Sequence, residues 1–157
     1  MNPRIISITE KKLIGMKSFM HHNEFGNIVK LWKRFMPRRR ELQNILNSEY
    51  IAMQIYDDFN AIEKLFDIWA CVEVSNFNTM PEGMESFTIP DGDYAIFIHK
   101  GMNASATYQK IMTEWLPNSG YEIDNRPHFQ VIGEKYKNGS ADSEEDFYVP
   151  IKLVLKQ

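Results

Sequence analysis

The chain has 157 residues, 43% of them hydrophobic and 25% charged, with a formal net charge of −3. This composition excludes a disordered tail, a fibrous repeat and a long apolar membrane span, and the charge offers no overall positive field to nucleic acid or to an anionic membrane. Cys71 is the single cysteine, so no internal disulfide forms, and the first residues lack the apolar stretch of a signal peptide; the expectation is one cytoplasmic domain over residues 1–157 that makes no membrane contact.

The first half opens with extended segments at Ile5–Ile8 and Leu13–Phe19, on either side of the polar Thr9–Lys12. From Asn27 to Phe35 the period changes. Ile28, Leu31, Trp32 and Phe35 recur at helical spacing, and Pro37 ends or kinks the helix. Arg38 to Leu46 has room for a further turn or two. Tyr50–Tyr56 alternates as a strand, Asp57–Asn60 supplies turn residues, and Trp69–Val74 is apolar enough to be a central strand.

The second half repeats that order. Phe87–Ile89 and Tyr94–His99 flank Asp91-Gly92, which reads as a hairpin. Ala104, Tyr108, Ile111 and Trp115 make a helix stripe, punctuated at its end by Pro117 and Gly120. Phe129–Ile132 is a strand, Lys135–Glu145 a polar acidic loop, and Phe147–Leu155 the closing strand. The fold class is therefore α+β. Two pseudo-twofold strand–helix–strand–strand repeats, about 1–78 and 79–157, join their antiparallel strands in one sheet with the helices behind it, and the seam makes a ligand cleft.

Catalytic and phosphate-binding signatures do not occur: there is no G-x-S-x-G, H-E-x-x-H, phosphate loop or G-x-G-x-x-G. No cofactor or metal is expected. Adjacent side chains of His21-His22 point to opposite faces of a strand and chelate poorly, so they read as surface histidines. Cys71, inside an apolar strand, reads as an inert buried thiol. The basic run from Lys30 to Arg40 reads as the solvated back of the first helix, and no direct nucleic-acid binding is expected. Alternation gives the rings more meaning. If Phe147 faces the helices, Tyr148 faces the open side of the sheet, and Gln130 and Ile132 share a face opposite Phe129 and Val131. Rings with polar tips on an open sheet face suit a flat, apolar, even cationic ligand.

Four stretches, Ile89–Gly101 (IPDGDYAIFIHKG), Trp115–Tyr121 (WLPNSGY), Arg126–Ile132 (RPHFQVI) and Asp146–Lys152 (DFYVPIK), together resemble the GyrI-like small-molecule-binding domains, which are also the effector-binding domains of AraC-type and multidrug-sensing transcription regulators. The resemblance implies the paired-repeat fold and a pocket for bulky lipophilic molecules. It further implies a stand-alone cytoplasmic binder, whose alternatives are a hydrolase of a strained or activated small molecule and a protein-interaction role with gyrase or a regulator. Members of the family commonly carry Glu directly after the Phe of an R-P-x-F-E pattern; here that position is Gln130, which has no charge and is not a general base near neutral pH. Glu73 and Asp146 are the carboxylates considered as its replacement. No catalytic residue is assigned. The ligand-binding residues expected are Tyr56, Trp69, Tyr94, Tyr108, Gln130, Ile132 and Tyr148. In the hydrolase alternative Tyr148 or Tyr108 acts as a hydrogen-bond donor. The acidic side chains Asp142, Glu144, Glu145 and Asp146 read as a solvated loop.

Overall fold

The computed structural model describes residues 1–21, 24–57 and 65–155. His22 and, of the expected turn residues Asp57–Asn60, those after Asp57 lie outside them. Chain order is β1 (Arg4–Ile8), β2 (Lys11–Met20), α1 (Gly26–Phe35) followed by a 3-10 turn (Met36–Glu41), β3 (Tyr50–Ile55), β4 (Phe66–Val74), β5 (Glu85–Ile89) and β6 (Gly92–Lys100). Then come α2 (Ala104–Lys110), prolonged by a π turn (Ile111–Trp115) and a 3-10 turn (Leu116–Asn118), β7 (Tyr121–Ile123), β8 (His128–Ile132) and β9 (Glu144–Leu153). The fold is a mostly antiparallel open sheet with two helices behind it.

Among the described residues the strand order is β1-β6-β9-β8-β3-β4-β2-β5, with β7 added beside β9. It reads symmetrically about the β8–β3 pair, so β2-α1-β3-β4 and β6-α2-β8-β9 are equivalent units. The strand that precedes each unit is exchanged: β1 pairs with β6, and β5 pairs with β2. The hairpin expected across Asp91-Gly92 is therefore not formed. A turn signal records only local backbone preference. Pairing with β2 sets Phe87 opposite Leu13 and lets Ile89 pack, fully buried, in the cluster that holds Leu13 and Trp69. Two further boundaries move. The end of the acidic loop, Glu144 and Glu145, belongs to β9, where it pairs with Lys100 and His99. β7 is too short for alternation to reveal it.

Register divides the side chains into two faces. The row Met16–Ala70–Ala52–Gln130–Phe147–Phe97 crosses β2, β4, β3, β8, β9 and β6 on the helix side. The next row, Lys17–Trp69–Met53–Phe129–Tyr148–Ile96, lies on the opposite side. α1 is seated by Leu31 and Phe35, which pack with Ile14, Met16 and Ile68. Under the second helix Ile111 packs with Ala95, Phe97 and Val149, and Trp115 meets Phe97 edge-on at 5.1 Å. Gly15 lets β2 and β4 approach closely, since a Cβ there would stand 2.1 Å from the Ala70 carbonyl oxygen.

Arg126 explains the R-P-x-F stretch. Its Nε donates to Asp124 Oδ2 at 2.6 Å, and Nη2 donates to the carbonyls of Asp93 (2.7 Å) and Ile151 (3.0 Å). The guanidinium lies 4.8 Å from the Tyr94 ring centroid, and the Tyr94 hydroxyl donates to the Pro127 carbonyl at 2.7 Å. The motif thus joins β6, β9 and the start of β8, and it aims Phe129 and Gln130 at opposite faces.

Candidate functional site

Between the two helices and the middle of the sheet lies a cavity of about 530 Å³. The helices differ in how closely they sit. α1 buries Leu31 and Phe35, whereas α2 has no buried residue. Asn103 caps α2 by accepting from the Ala106 amide at 3.1 Å, Thr107 Oγ1 meets His99 Nδ1 at 2.7 Å, and the Tyr108 ring lies 5.2 Å from that of Phe147. The space beneath the helix is walled by Ile28 and Trp32 of α1, Tyr108 and Met112 of the second helix and its continuation, and Gln54, Gln130, Glu145 and Phe147 of the sheet.

Most of this wall is apolar, and its polar groups include Gln54, Gln130, Tyr56, Tyr108 and Glu145. The amides of Gln54 and Gln130 face each other reciprocally, each Nε2 donating to the other's Oε1, at 2.8 and 2.9 Å. Each keeps one N–H and part of its carbonyl capacity. Beside them the Tyr108 hydroxyl stands 3.4 Å from His128 Nδ1, and the Tyr56 ring meets the His128 ring edge-on at 5.2 Å. Burial pushes Tyr108 well up and Tyr56 up to about 12, and it drives His128 down to about 3. All three are neutral at physiological pH, so the two tyrosines that border the cavity bring dipoles and no charge, and His128 lies behind them.

The charge comes from Glu145. Among the described residues that border the cavity it is the only carboxylate and there is no Lys or Arg, and among the described residues it enters no ion pair. Burial pushes its carboxyl up to about 7. Among the described residues this half-buried acid has no ion-pair partner and stands in a mostly apolar wall. Among the described residues no group of His, Cys, Asp and Glu is placed to hold a metal ion.

Of the residues expected from sequence, Tyr56, Trp69, Tyr108 and Gln130 border the cavity; the Trp69 ring packs on the other face, 5.7 Å from Phe87. Tyr94, Ile132 and Tyr148 do not border it. Tyr148 stacks on Phe129 at 4.4 Å, and Tyr94 meets Phe129 edge-on at 5.2 Å, in the core on the opposite face. Ile132 is on the helix side but pairs with Tyr50, beyond the rim. The open sheet face expected to hold rings for a ligand is thus a packed core. Glu73 pairs with Lys11 at 3.5 Å, and Asp146 borders a separate groove with Glu49 and Glu134, so neither replaces the missing carboxylate. The carboxylate that borders the cavity among the described residues is Glu145, which sequence reasoning passed over. Its signal was alternation, since it stands two residues before Phe147. Gln54 was legible in the same way within Tyr50–Tyr56. Cys71 is fully buried, with Sγ 3.3 Å from the Ile51 carbonyl oxygen, and burial raises its pKa.

A family model described as Cass2, integron-associated effector binding protein, matches residues 4–151. The transcriptional regulator BrlR of Pseudomonas aeruginosa is 28% identical over 158 residues, covering 96% of this chain and 56% of the regulator. The chain thus spans just over half the length of that relative. The C-terminal domain of EcmrR aligns with a TM-score of 0.74 at 19% identity, over 98% of both chains. SAV2435, solved bound to tetraphenylphosphonium, aligns with a TM-score of 0.67 at 16% identity, over 97% of this chain and 94% of its own. At these identities the two structures carry the fold.

Proposed function

The chain belongs to the family of integron-associated effector-binding proteins, and from that membership we propose that it binds small lipophilic cations between its two helices and the sheet. The observation that carries this reading is Glu145, a carboxylate without an ion pair among the described residues, in the wall of an apolar cavity of about 530 Å³. Trp32, Tyr56 and Tyr108 supply aromatic area, Met112 an adaptable surface, and the Gln54–Gln130 pair a neutral polar floor that orients the ligand. The cation bound to SAV2435 is of the size and chemistry such a cavity suits.

Fluorescence titration with tetraphenylphosphonium and with the neutral triphenylphosphine oxide tests the proposal. The expected affinity for the cation is micromolar, about −8 kcal/mol. Glu145→Gln is expected to weaken the cation by about tenfold, equivalent to about 1.4 kcal/mol, and to leave the neutral ligand unchanged. Absence of binding by either compound at high micromolar concentration overturns the reading.

A further inference from the structure

The net charge of −3 averages over a strong segregation. Residues 26–40 hold six of the eighteen Lys and Arg and no Asp or Glu, which leaves twelve cations against all twenty-one carboxylates in the rest of the chain. Part of this basic run is spent inside the fold. Arg38 pairs with Glu41 at 2.7 Å, and Arg39 donates to the Asn47 carbonyl at 3.1 Å while lying 4.6 Å from the Tyr50 ring centroid. Lys30, Lys33 and Arg34 are exposed and, among the described residues, in no ion pair.

Beside these cations runs an apolar stripe that packing leaves uncovered. Phe25, Val29 and Met36 are 54%, 53% and 46% exposed. They are spaced four and seven residues apart on a backbone that is helical from Phe25 to Met36, so they share one side of the helix. That side adjoins the cavity, since Phe25, Ile28 and Trp32 border it. Around α1, then, the buried Leu31 and Phe35 give way to the cavity flank, then to the apolar stripe, then to Lys33, Lys30 and Arg34. A helix with cations ranged along an exposed apolar stripe has the pattern that lies in a membrane interface. A nucleic-acid backbone would use the cations and leave Val29 and Met36 idle.

We propose that α1 docks this protein on anionic lipid bilayers, with Val29 and Met36 in the headgroup region and Lys30, Lys33 and Arg34 on lipid phosphates. The cavity flank of α1 is then held beside the phase into which lipophilic molecules partition. The inference goes beyond effector binding and is tested without a cavity ligand, so either can fail alone.

Cosedimentation is measured with vesicles of phosphatidylcholine and of phosphatidylcholine mixed with phosphatidylglycerol. Binding is expected to the anionic vesicles only, and raised salt should weaken it by at least about tenfold. The exposed triple variant Lys30→Glu/Lys33→Glu/Arg34→Glu, folded by circular dichroism, is expected not to bind; Val29→Ser/Met36→Ser is expected to bind about tenfold more weakly. A milder Lys30→Gln/Lys33→Gln variant serves if the triple variant unfolds. The proposal is overturned if the wild-type protein ignores anionic vesicles at low salt or if charge removal leaves binding unchanged. It is equally overturned if a DNA duplex binds as well as the vesicles and the Val29→Ser/Met36→Ser variant loses neither.

Discussion

Two neighbouring rows of the sheet, one residue apart, have opposite uses. Phe129 and Tyr148 stack on each other on one side, and Tyr94 meets both edge-on. Gln130 and Phe147, their immediate successor and predecessor in the chain, border the cavity on the other side. On the aromatic side the rings pack against one another. The helix side is under-filled: side chains of both helices border a cavity there, and the polar amides of Gln54 and Gln130 pair with each other. The difference teaches that an aromatic cluster marks a binding site only where something prevents the rings from completing one another's packing.

This contrast can be broken most severely at Phe129. Its side chain is fully buried among Tyr94, Met53 and Tyr148, so Phe129→Ala is expected to cost about 3–5 kcal/mol of stability in urea unfolding. A loss below about 1 kcal/mol would make the far face a site and not a core. Gln130→Glu probes the other row. It keeps Gln54 as a donor, places a second carboxylate in the cavity, and is expected to raise the ratio of cation to neutral affinity by about tenfold, or about 1.4 kcal/mol. An unchanged ratio in a folded variant would remove residue 130 from the ligand's surroundings.

An effect of similar size is the pH dependence that Glu145 lends to stability. Burial raises its folded carboxyl from 4.5 to about 7, so between those values the folded state holds a proton that the unfolded state has released. Stability therefore falls as pH rises through that window, and it is lowest once the folded carboxyl has ionised. Solvent screening of a half-buried group limits the loss to about 1–2 kcal/mol. Glu145→Gln should flatten this slope and be the more stable protein at pH about 8. Parallel unfolding curves of the two proteins from pH about 5 to about 8 would show that the carboxyl is not buried as described.

The sequence by itself determined the local terms. Helical spacing of Ile28, Leu31, Trp32 and Phe35 placed α1, alternation placed the central strands and put Gln130 on the face opposite Phe129, and the order of elements in the two halves matched the two equivalent units of the sheet. These are legible because side-chain periodicity of helices and strands is a property of a few consecutive residues. Alternation also says that Tyr148 and Phe147 point opposite ways, but it does not say whether Gln130 shares a side with Tyr148 or with Phe147. Register decides that, by setting Gln130 against Phe147 and Phe129 against Tyr148, and register is fixed by burial summed over both strands. The same holds for the exchange of β1 and β5, where a local turn signal lost to burial of Ile89 and Phe87 against β2. Glu145 completes the case. A charged residue at the edge of an acidic stretch reads as solvated loop, and only the tertiary fold, by laying α2 over β9, turned it into the carboxylate of an apolar cavity.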